Sequence, residues 1–236
     1  MKTKLLLLAL ALFAVSCSSD KTLSDAATEF NRSEAEISEL LKASGHEISG
    51  NTINANAYEA LSFAVVTDDI DKSEKALYGE NNEFRFDEVK AQDCVAAYLA
   101  YCEKFGDRED APDYMFKAAD LLRALRKPGD ALVYYEKICT DFPDYPKVPH
   151  SVFLQGFVYE NDLADLDKAR EKYEAFLEKY PEHDLADDVQ FSLKYLGKSP
   201  EEIIKQFEDA PKDGEAEEGA SEPEETEKAA SDQKSS

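Results

Sequence analysis

Two stretches decide the fold: ALVYYEKICTDFP at 131–143 and AREKYEAFLEKYP at 169–181. Laid one over the other, Ala131 falls on Ala169, Tyr135 on Tyr173, Cys139 on Leu177, Phe142 on Tyr180 and Pro143 on Pro181. Residues four apart share one face of a helix, and a proline cannot continue the helix it follows. A third stretch, CVAAYLAYCEKFG at 94–106, runs in the same register through Cys94, Tyr98, Cys102, Phe105 and Gly106. The offset is 37 at the first step and 38 at the second. Downstream, Phe116, Phe153 and Phe191 align at the same offsets, as do Ala119 and Gly156. One register therefore covers two helices per unit, with one residue inserted in the second unit.

The residue types give the pattern its physics. Ala119 and Gly156 let two antiparallel helices approach closely, and Ala131 and Ala169 do the same early in the next helix. Tyr135 and Tyr173 fill the space between units. Each pair carries an apolar face that it cannot bury alone, so units stack. The expected fold is all-α: a short right-handed solenoid of antiparallel helix pairs.

This pattern resembles the tetratricopeptide repeat, whose standard period is 34. The surplus lies in the turn after each proline. Such long turns are similar to those of envelope lipoproteins and periplasmic adaptors, among them the lipoprotein of the outer-membrane β-barrel assembly machine and the adaptor of the Tol–Pal system. The resemblance covers about residues 88–208, with the best units at 112–148 and 149–186. The first unit retains mainly its second helix. The last is degenerate, with Lys194 standing where Gly156 stands before it, and the consensus Trp is missing because the chain has none. Ser199, Pro200 and Glu202 suit the start of a final helix through Glu208 that caps the solenoid.

Upstream, Glu34–Ala43 reads as a short helix, 45–56 as a break, and Ala57–Leu77 as a helix that takes in the apolar run Ser62–Thr67. The amino end is a different kind of signal. Lys2 and Lys4 precede eleven apolar residues, Leu5–Val15, then Ser16 and Cys17. A positive start, a short apolar core and a small residue before the cut make a secretory signal. Eleven residues fall short of the ~20 that span a bilayer, and cleavage without an anchor is the other alternative. Ala14-Val15-Ser16-Cys17 resembles the lipobox of bacterial lipoproteins, with Ala14 where Leu is usual. The resemblance implies export, removal of residues 1–16, acylation of Cys17 and, since Ser18 rather than Asp follows it, outer-membrane delivery facing the periplasm. Residues 17–56 then form the lipidated amino end and linker, and 57–208 the repeat domain.

The formal net charge is −24, and loss of the leader removes two lysines and no acid. Nucleic acid and anionic headgroups are repelled by such a chain, and a basic protein segment is the natural charged partner. Residues 209–236 are rich in Glu, Ala, Ser, Gly and Pro and have no aromatic residue, a composition that cannot offset the entropy of ordering; an acidic disordered tail is expected. Cys94, Cys102 and Cys139 are read as small buried packing residues. Cys94 and Cys102 stand about 12 Å apart along a helix, too far for a disulfide.

No catalytic constellation stands out, and no cofactor is implied. His46, His150 and His183 are scattered and lack metal-ligand spacing. By family register the concave groove includes Asp113, Phe116, Asp120 and Arg123 from one first helix, and His150, Phe153, Phe157 and Glu160 from the next. Aromatics beside charges suit capture of a peptide or partner helix; Phe116, Phe153 and Phe157 also fit a core role. The expected function is a non-catalytic protein-binding scaffold serving envelope or outer-membrane assembly. The alternatives are a surface lipoprotein that binds a carbohydrate or nutrient, and an enzyme with its site in residues 22–85.

Overall fold

The structure, a computed structural model, describes residues 20–46, 50–79 and 86–209. The leader with Cys17, and the tail from 210 onward, lie outside the described residues. One compact unit runs to Leu196 and a second begins at Gly197.

The first unit opens with a two-residue ladder. Strand β1 (Lys21–Thr22) pairs antiparallel with β2 (Thr52–Ile53), Lys21 opposite Ile53. Between them stand α1 (Leu23–Glu29) and α2 (Glu34–Ala43). Both begin with a capping box, Thr22 with Asp25 and Ser33 with Glu36, so two orphan backbone donors are satisfied at each start. The bounds of α2 match the periodicity of its sequence. The ladder and α1 were not foreseen, because two-residue strands show no alternation and seven residues make too short a helix to reveal a period. Ala26, Ile37, Leu41, Ile53, Leu61 and Val65 close over one another as a separate core.

Helix α3 (Ala55–Tyr78) starts at Asn54, whose side chain accepts from the Ala57 amide at 2.9 Å, and stops at Gly79, where φ is 71°. The apolar run Ser62–Thr67 lies inside it, as expected. Helices α4 (Glu88–Phe105), α5 (Ala111–Ala124), α6 (Pro128–Asp141), α7 (Val148–Phe157), α8 (Leu166–Lys179) and α9 (Ala186–Lys194) follow, each packed chiefly on its chain neighbours. The architecture is the all-α repeat that the register implies. Helices α6 and α8 stop at Asp141 and Lys179, two residues before Pro143 and Pro181.

One detail differs from the reading of the sequence, and another accounts for its inserted residue. The unit containing α4 has a full first helix: Ile70 and Leu77 of α3 join Cys94, Tyr98 and Tyr101 of α4 in one core. The connection through 79–87 hid this, since it shifts α3 out of the common register. The inserted residue of the second unit is accounted for by a π-turn, Val158–Asp162, which directly continues α7. A π-turn takes up one extra residue without ending the helix, and it lies between Gly156 and Ala169, the interval in which the offset grows from 37 to 38.

The cysteines correct an expectation in part. Cys94 is buried, but Cys102 and Cys139 are only half-buried. All three thiols are pushed up by burial, Cys102 to about 12. The second unit holds α10 (Pro200–Asp209), whose Ser199 hydroxyl accepts from the Glu202 amide at 3.2 Å while Glu202 accepts from the Ser199 amide at 2.7 Å.

Candidate protein-binding groove

The tyrosines that align in sequence share one job. Tyr98, Tyr135 and Tyr173 are fully buried on α4, α6 and α8. Each donates its hydroxyl to a carboxylate of the preceding first helix: Tyr98 to Glu74 at 2.7 Å, Tyr135 to Asp120 at 2.5 Å, Tyr173 to Glu160 at 2.8 Å. Burial, and then the carboxylate beside each, raises all three phenols far above their ordinary value, so they stay protonated donors. Burial alone would raise Glu74, but hydrogen bonds from Lys117 and Tyr98 outweigh it and hold the carboxyl below its ordinary value. A buried phenol with a charged acceptor is one of the stronger neutral-to-ion pairings, and it pins each second helix to its first.

The third acceptor sits one turn further along than the second. Asp120 directly follows Ala119, whereas Glu160 lies four residues after Gly156. Glycine explains the shift. A Cβ at Gly156 would lie 2.5 Å from Cε1 of Tyr173, so the ring lies against the bare backbone and its hydroxyl reaches into the π-turn.

Of the eight residues assigned to the groove by register, all are exposed or half-buried. Seven of them share contacts that cross from α5 to α7, while His150 meets His183 ahead of α9. Asp113 accepts from Tyr145 Oη at 2.5 Å and from Lys147 Nζ at 3.3 Å, and the same ammonium lies 5.1 Å from the Phe116 ring centre. Phe116 meets Tyr135 edge-on. Arg123 covers the Phe157 ring at 4.8 Å and donates to Asp162 at 3.3 Å. Phe157 in turn lies beside Phe153, which packs on Tyr173. Phe116 and Phe153 are thus partly buried packing residues with an accessible edge.

His150 contradicts the picture of scattered histidines. Its ring centre is 5.4 Å from that of His183, nearly perpendicular to it, and His183 also meets Phe176 edge-on. The Leu185 amide donates to His183 Nδ1 at 3.1 Å. Their separation of 33 in sequence is not the repeat step, so periodicity could not have paired them.

Sequence reasoning also missed the partners between units: Lys117 donating to Glu74 at 2.8 Å, Tyr145 and Lys147 on Asp113, Asp162 under Arg123, and Lys172 donating to Glu136 at 3.2 Å on the second helices. The signal was in the long turn DFPDYPKVP at 141–149, whose Tyr145 and Lys147 reach back to the unit before. Two shallow hollows, of about 560 and about 530 Å³, include none of the eight residues. Among the described residues no three His, Cys, Asp or Glu side chains gather to hold a metal ion, and no helix is long and apolar enough to cross a membrane. The groove offers aromatic edges, carboxylates and a guanidinium, which are the materials of recognition.

No curated protein matches the chain. The family model for the tetratricopeptide repeat matches twice, at residues 113–145 and 151–183, which are α5–α6 with their turn and α7–α8 with theirs. These two segments are therefore tetratricopeptide repeats, a repeat type that indicates protein–protein interaction.

Proposed function

We propose that this chain is a lipid-anchored scaffold of the bacterial envelope, held in the outer membrane through Cys17 on the periplasmic side, where its groove holds a protein partner during envelope or outer-membrane protein assembly. The observation that carries the binding part is the contact chain from Asp113 to Glu160, in which side chains of two first helices share one surface. The lipobox-like Ala14–Cys17 supports the anchor. Charge supports a partner with a basic segment, since a chain of net charge −24 attracts one over a distance set by ionic strength.

Crosslinking in living cells tests the proposal. A photoreactive residue at Phe157, and separately at the exposed His150, is expected to capture an outer-membrane β-barrel or a protein of its assembly route. Capture of nothing at either position, by a chain shown to be folded and acylated, overturns the groove as the binding face. Protease treatment of intact cells tests the side of the membrane, because cleavage of the chain places it on the outer surface.

A further inference from the structure

The fold starts almost at the anchor. Lys21 is already paired with Ile53, the Leu23 amide donates to Asn51 O at 3.1 Å, and Lys21 Nζ is bound to Glu29 and, at 2.9 Å, to Tyr58 Oη. Between Cys17 and this fixed point lie only Ser18, Ser19 and Asp20. Four peptide steps reach about 14 Å at full extension. The headgroup layer on one side of a bilayer takes up roughly 5–8 Å of that reach.

From this we propose that the β1–β2 end of the chain rests on the hydrated headgroup layer of the bilayer that carries its anchor, so that the repeat array stands in a fixed sense with β1 nearest the lipid and α9 away from it. The inference rests on acylation of Cys17. The chemistry of that end fits headgroups and does not fit hydrocarbon. Among the described residues, Asp20, Ser24, Asp25, Gly50, Asn51 and Thr52 are exposed there, with Asn54 and Ala55 just beyond β2, a surface of polar groups and small side chains. Lys21 is turned back onto Glu29 and Tyr58, and the nearby Lys104 ammonium lies over the Phe30 ring at 5.4 Å. Asp20 and Asp25 disfavour an anionic surface, so the matching lipid is zwitterionic, and the contact is enforced by the tether's high local concentration rather than by affinity. Packing that runs chiefly between chain neighbours carries the array outward: three steps between first helices, from α3 to α9, at 8–10 Å each, place α9 roughly 25–30 Å further on.

The absence of tryptophan from the chain supplies the experiment. Ser24→Trp and Gln190→Trp, both at exposed helix positions, are made singly in the full acylated chain. Each is reconstituted into phosphatidylcholine vesicles containing a headgroup-labelled quencher lipid. The mass of the amino-terminal peptide first establishes whether Cys17 carries its acyl chains. Quenching is expected to be several times deeper at 24 than at 190, and to be lost at 24 when a 20-residue Gly/Ser segment, of roughly 25 Å root-mean-square span, is inserted between Ser19 and Asp20. Equal quenching at the two positions in an acylated, helical protein overturns the proposal. An unmodified Cys17 overturns the anchor itself and this proposal with it. Quenching at 24 that survives the insert shows intrinsic lipid affinity and removes the tether as its cause.

Discussion

Gly156 sets two local effects against each other. Alanine is the better helix former by roughly 1 kcal/mol, which argues that Gly156→Ala stabilises. The added Cβ, however, meets Tyr173 Cε1 at 2.5 Å, and that ring is fully buried and tied to Glu160. Forcing a group into a packed core costs about 1–3 kcal/mol, so a net loss is expected, seen as a lower urea midpoint, with Tyr173→Leu in the same chain relieving it. His150 gives a second residue-scale expectation. The residue is exposed overall, but partial burial of its ring, then His183, then Lys147 hold the imidazole below the ordinary value. The unfolded chain therefore binds the extra proton at a higher pH than the folded one does. The corresponding stability is present above the ordinary histidine value and is lost as pH falls through it toward the lowered one. His150→Gln should flatten the fall of the urea midpoint between about pH 7 and about pH 5; parallel curves for the two chains would exclude the effect.

At the scale of elements, α1 and α2 form a core with the amino end of α3 that shares none of its buried residues with the clusters further along. Ile37 is completely buried there, and Ile37→Ala removes three methyl(ene) groups at a cost of about 2–4 kcal/mol. Because the clusters are separate, amide exchange should accelerate across 20–46 while 111–179 keep their protection; a uniform change along the chain would show that the clusters are coupled. The same separateness explains what could be read from the sequence. Units α5–α6 and α7–α8 were legible because each buries the same residue types at the same places, and alignment multiplies a weak signal. The ladder and α1 were not, since each occurs once, and the pairing of α3 with α4 was not, because α3 stands out of the common register. The groove positions followed from register, but their partners did not: Lys147, Asp162 and His183 come from turns and a π-turn, where side-chain direction is set by backbone geometry that periodicity does not encode.

For the whole first unit, packing that runs mainly between neighbours means stability is a sum of local terms and interfaces, so the ends need not melt together. The tryptophans at 24 and 190 should report different denaturant midpoints; coincident transitions would make the unit a single cooperative block. The same pattern bears on how the array is made. Synthesis delivers β1 first and α9 last, and no helix in between waits for a distant partner: α4 closes on α3, α5 on α4, and so on along the chain. Pairings this local form quickly, and chains commonly fold amino end first as they emerge. The array can therefore be assembled by addition, each new helix laid on a finished surface.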